Sequence, residues 1–75
     1  MSTMSQGDAA RVQNYMRQLF GNDRLMVKLR PKDGSAEVML GQEFIGVLFR
    51  DEEDGEISYS FNMAILEEDL PPPIR

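Results

Sequence analysis

The stretch RDEEDGEISY, residues 50–59, concentrates carboxylates as no other part of the chain does. Asp51, Glu52, Glu53 and Asp54 run together, then Gly55, then Glu56. Such a run could chelate calcium, supply a general acid–base pair, or form a turn. A calcium loop places acids at positions 1, 3 and 5, glycine at 6 and a bidentate glutamate at 12. With Gly55 as the glycine, the first position is Arg50 and the last is Phe61, and only Glu52, Asp54 and the apolar Ile57 fit. An acid–base pair needs one carboxylate in a dry pocket and its partner solvated. A hairpin tip is wet on every side, so the run reads as a charged β-turn that keeps the tip soluble.

Other chemistries fare no better. A phosphate loop needs clustered glycines ahead of a helix N-terminus, whereas Gly41, Gly46 and Gly55 stand alone among strand-like segments. The chain contains neither histidine nor cysteine. That removes the commonest general base, thiol chemistry, thiolate metal sites and disulfides. No catalytic, metal-binding or cofactor-binding residue is assigned, and the chain reads as a non-enzyme without a cofactor or small-molecule substrate.

The elements that carry these residues follow from apolar spacing. In DAARVQNYMRQLF (8–20), Val12, Tyr15, Met16, Leu19 and Phe20 share one helical face. Ser5 can cap this helix with Asp8 as its capping-box partner, and Gly21 can end it. After Gly21 the period becomes two. LMVKLR (25–30), AEVML (36–40), EFIGVLF (43–49) and ISYSFNM (57–63) read as strands joined by short turns at Asp33-Gly34, Gly41-Gln42 and Asp54-Gly55. The expectation is an α+β fold: an N-terminal amphipathic helix on a four-stranded antiparallel meander. Residues 64–70 are expected to form a short helical turn capped by Asn62. The domain is read as residues 1–70, with 1–7 flexible and 71–75 a frayed proline-rich tail.

Register is chosen by asking which pairing gathers apolar residues on one face. Two-residue loops at the first two turns pair Leu29 with Val38 and Val38 with Ile45. At the last turn a two-residue loop would pair Tyr59 with Arg50 and mix the faces. A three-residue loop, Glu53-Asp54-Gly55, pairs Tyr59 with Phe49 and Phe61 with Val47 instead. The helix would then cover a face holding Val27, Val38, Val47, Phe49, Tyr59 and Phe61. The second face would carry Lys28, Arg30, Met39, Phe44, Leu48 and Arg50, an apolar cluster ringed by cations and the candidate partner-binding surface. An exposed patch of this kind on a small domain marks an interaction site unless something covers it, and residues 64–70 are the available cover. The last strand, with Ile57, Tyr59 and Phe61, carries no charge and is a candidate for edge pairing.

Charge divides along the chain. Residues 1–30 hold five cations against two acids, and residues 31–75 hold three against eleven, within a net charge of −5. An acidic protein is repelled on average by nucleic acid and anionic membranes. No apolar run is long enough for a signal peptide or a membrane span, and a cytoplasmic protein is expected. At 75 residues the domain buries only about 60% of its unfolded surface, which leaves no room for a deep cleft.

The strings SAEV, EFIGVLFRDEEDGEISYSF and MAILEEDL together resemble a small family of short alphaproteobacterial proteins grouped as a domain of unknown function. The likeness covers residues 10–70. It implies a compact bacterial cytoplasmic protein and brings no activity, cofactor or catalytic residue. The helix-then-sheet order is also similar in topology to double-stranded-RNA-binding domains, but their long final helix and its lysine cluster have no counterpart here. The expected function is a small protein–protein interaction module, with a homodimer as the simplest case. The alternative is an RNA-associated protein, with Phe44 stacking on a base and Lys28, Arg30 and Arg50 meeting phosphates.

Overall fold

The computed structural model describes residues 3–73. Helix α1 spans Gln6–Phe20, followed by strands β1 (Leu25–Arg30), β2 (Ser35–Leu40), β3 (Glu43–Glu53) and β4 (Glu56–Asn62). The strands form one antiparallel sheet in the order β1-β2-β3-β4. The helix lies on this sheet, and the fold is the expected α+β meander.

Helix α1 begins and ends for local reasons. The Ser5 hydroxyl accepts from the Asp8 N–H at 3.0 Å, and the Ser5 N–H donates to Asp8 Oδ2 at 3.1 Å. Two amides that a helix start leaves without partners are thereby satisfied. At the other end Gly21 adopts φ 63°, and its N–H reaches back to Arg17 and Gln18. Met4 and Ala9 occupy the two positions of a hydrophobic staple, and both are buried in the core. Met4 falls in the stretch expected to be flexible, yet its N–H donates to the Gly34 carbonyl at 3.1 Å.

The first turn is longer than expected. Arg30 pairs with Ser35, so Pro31–Gly34 form a four-residue connection, and Val27 lies opposite Val38. Pro31 has no N–H to give to a ladder. Gly34 takes φ 75°, and Asp33 Oδ1 accepts from both the N–H and the hydroxyl of Ser35, at 3.1 and 2.6 Å. The change is two residues, so every side chain keeps its expected face.

The second correction is larger. Leu40 pairs with Glu43 and Met39 with Phe44, as a two-residue turn requires, but Val38 then pairs with Gly46. A bulge at Ile45 inserts one residue, and period two turns that insertion into an exchange of faces. Beyond it Gly46, Leu48 and Arg50 point to the helix side, while Val47 and Phe49 point away. The expected pairings of Val47 and Phe49 with β4 are therefore overturned. The third turn is the two-residue Asp54-Gly55 loop, pairing Arg50 with Tyr59 and Leu48 with Phe61. Both turn residues have positive φ, 54° and 83°, the signature of the tight hairpin turn that matches strand twist.

The core gathers Met4, Ala9 and Met16 from the N-terminal arm and helix, and Leu25, Val27, Ala36, Val38 and Leu48 from the sheet. A four-stranded sheet is wider than one helix: strands lie about 4.8 Å apart, and a helix with its side chains is about 10 Å across. Helix α1 packs chiefly against β1. The helix side of β3 and β4 is left largely uncovered. Residues 67–69 form a single 3-10 turn preceded by Leu66, which provides no side-chain cap, so the expected Asn62 cap is not used. Every residue from Asn62 to Pro73 is exposed, and the second sheet face has no cover from residues 64–70.

An apolar groove between the helix and the last two strands

The uncovered part of the sheet and the far flank of α1 enclose a groove of about 470 Å3. Val12, Tyr15, Met16, Leu19 and Phe20 form its helix wall, and Leu48, Tyr59 and Phe61 its floor. Tyr15, Leu19 and Phe20 are 62%, 61% and 55% exposed. They belong to the helix face expected to be buried, of which only Met16 is fully covered. Of the residues lining the groove, Arg11 alone is charged.

The floor is shaped by Gly46. A Cβ there would lie 2.5 Å from both the Asn62 carbonyl oxygen and the Phe61 ring. Only a glycine lets that ring settle against β3.

A polar clasp adjoins the groove at Tyr59, toward the start of α1. Arg50 Nε lies 3.5 Å from Asp8 Oδ2, and its Nη1 donates to Glu52 Oε1 at 3.3 Å. Tyr59 stands opposite Arg50 on β4, and its hydroxyl favours the charged forms of both Asp8 and Arg50. The Asp8 carboxyl is held below its ordinary range. The Ser5 backbone N–H is the main cause, and the Ser5 hydroxyl, Tyr59 and Arg50 add to it. The clasp ties the start of α1 to β3.

The six residues expected to form one partner surface are divided between the two faces. Met39 and Phe44 do pair across the second turn, and Phe44 is 52% exposed. Lys28 and Arg30 share that face with them, Lys28 opposite Glu37 and Arg30 in a 3.7 Å ion pair with it. Leu48 and Arg50 lie on the helix side, where Leu48 is 2% exposed and Arg50 belongs to the clasp. The three cations expected to meet phosphates therefore do not share a face. Ile57, Tyr59 and Phe61 do line one side of an edge strand, and Tyr59 and Phe61 also floor the groove. The groove itself was missed because the helix was expected to cover the whole sheet. The signal that could have found it is the ratio of one helix to four strands.

Fold and site define a half-covered α+β domain, one helix short of closing its own sheet. The chain belongs to the DUF3126 family, described as proteins of unknown function, whose family model matches residues 8–69. No curated protein and no solved structure matches it. Among the described residues, no helix is long and apolar enough to cross a membrane.

Proposed function

We propose that the protein is a small non-enzymatic interaction module, and that the groove between α1 and β3–β4 is where it takes an apolar segment of a polypeptide. A second copy of the chain is the simplest source of that segment. The observation that carries this reading is the exposure of Tyr15, Leu19 and Phe20 opposite a floor of Leu48, Tyr59 and Phe61. Large aromatic and aliphatic side chains around a concave strip are the usual anchors of protein interfaces. The lining follows α1 from Arg11 to Phe20, a strip along which a short extended or helical segment can lie.

The test is site-specific photo-crosslinking in the native cell. A benzophenone amino acid replaces Tyr15 in the groove or Phe44 on the second face. A polypeptide adduct from position 15, absent from position 44, is the expected result. No polypeptide adduct from position 15 overturns the groove reading. A nucleic-acid adduct from position 44 puts the RNA-associated alternative in its place.

A further inference from the structure

Residues 63–70, MAILEEDL, combine exposed apolar side chains with acids. Met63, Ile65, Leu66 and Leu70 are 50% to 67% exposed, and Glu67, Glu68 and Asp69 stand between them. The family match runs through Asp69, so this segment is part of the domain although it packs on little within one copy. The groove is its complement: an apolar strip whose lining holds one charge, the exposed Arg11. The stretch from Arg11 to Phe20 is about 14 Å long at 1.5 Å per residue. Ile65 to Leu70, with its 3-10 turn at Glu67–Asp69, spans about 12 Å at roughly 3.3 Å per extended and 2 Å per 3-10 residue.

The segment does not return to its own groove. It follows β4, whose Phe61 already forms the floor, and none of its residues lines the groove. Leu66 and Leu70 are extended, no glycine or proline lies between Asn62 and Leu70, and Pro71–Pro73 keep the chain extended beyond. Resting on the groove reading above, we infer that two copies exchange residues 63–70, each laying Ile65, Leu66 and Leu70 in the other's groove with the acids toward Arg11. The arrangement is two-fold and self-complementary.

Sedimentation equilibrium and amide NMR test this with the whole chain. The wild type is expected to sediment at twice its 8.6 kDa mass. The double variant Ile65→Asp/Leu66→Asp alters only exposed positions and is expected to be a folded monomer with unchanged circular dichroism. Adding a synthetic peptide of residues 63–70 to that monomer should shift the amides of Leu19, Leu48 and Phe61. Arg11→Glu should weaken peptide binding about tenfold, an effect that fades with added salt. A wild type that stays monomeric without a peptide-induced shift overturns the exchange. So does a dimer that survives the double variant. If the double variant still yields a polypeptide adduct from position 15, the groove reading stands and only the exchanged segment is wrong. Loss of adducts from wild type and variant alike overturns both.

Discussion

The two edges of the sheet are treated differently. At β1 the helix reaches over the edge and occupies its outward backbone: Gln13 Oε1 accepts from the Val27 N–H at 2.9 Å, and Arg17 Nε donates to the Leu25 carbonyl at 2.7 Å. The same strand carries Lys28 and Arg30 and ends at Pro31, all of which discourage pairing with another strand. β4 is the other edge of the sheet among the described residues, the side chains from Ile57 to Met63 carry no charge, and helix and edge are separated by the groove. One helix serves this sheet, and what it spends on closing β1 is withheld from β4. A single helix cannot cover both edges of this sheet, so the location of the helix decides which edge is left open to a partner.

The largest test of that contrast compares two apolar truncations. Leu25→Ala in β1 removes a side chain that is 2% exposed, and Ile57→Ala in β4 one that is 50% exposed. Leu25→Ala should cost about 2–5 kcal/mol of unfolding free energy, and Ile57→Ala under about 1 kcal/mol. Chemical denaturation of the two variants measures both. Equal losses would mean that β4 is as well packed as β1.

A smaller effect is expected from Gln13→Ala. It removes the acceptor for the Val27 N–H and should cost about 1 kcal/mol. Its specific readout is hydrogen exchange: the Val27 amide should exchange faster, with the Asp8–Arg50 end of the helix unaffected. Unchanged exchange at Val27 would show that Gln13 does not guard the β1 edge.

The smallest effect concerns the clasp and acid. The Asp8 carboxyl is lowered in the folded state, so its contribution is fully present above the unfolded value of about 3.9. It is lost as pH falls through the lower folded value. Thermal melts between pH 6 and pH 2.5 should therefore show a shallower loss of stability for Asp8→Asn than for the wild type below about pH 4. Parallel acid limbs would place the titrating group elsewhere. Asp33 is lowered as well, chiefly by the Ser35 hydroxyl, so part of the limb remains in the variant.

Much of the fold is legible in residues 5–62. The Ser5–Asp8 capping box, the Gly21 stop and four alternating segments locate the helix and every strand. What was not legible was parity. Gly46 inside EFIGVLF is the kind of isolated strand glycine that marks a bulge, and Asp54-Gly55 is a strong two-residue hairpin signal. Treating β3 as unbroken made the correct Asp54-Gly55 turn look wrong, and a three-residue loop then restored agreement. The two errors cancel in β4, where Tyr59 and Phe61 lie on the expected side. They do not cancel in β3, where Leu48 and Arg50 exchange places with Val47 and Phe49. The candidate partner surface was drawn across that error, and so joined residues from both faces.

The bulge at Ile45 also limits how β3 can change length. Strands repeat every second residue, so insertions or deletions in pairs preserve the environment of every later position. A single deletion at Ile45 would only remove the bulge, leaving Val38 opposite Gly46 and Ala36 opposite Leu48. With the bulge kept, a single deletion between Gly46 and Phe49 would transpose the rest of the strand, sending Phe49 toward the helix and Arg50 to the opposite face, away from Asp8. Beyond the bulge, length variation in this strand is therefore quantised: even steps rescale the acidic hairpin, odd steps rewrite the groove, and Ile45 is the one place where a single residue can be lost without either.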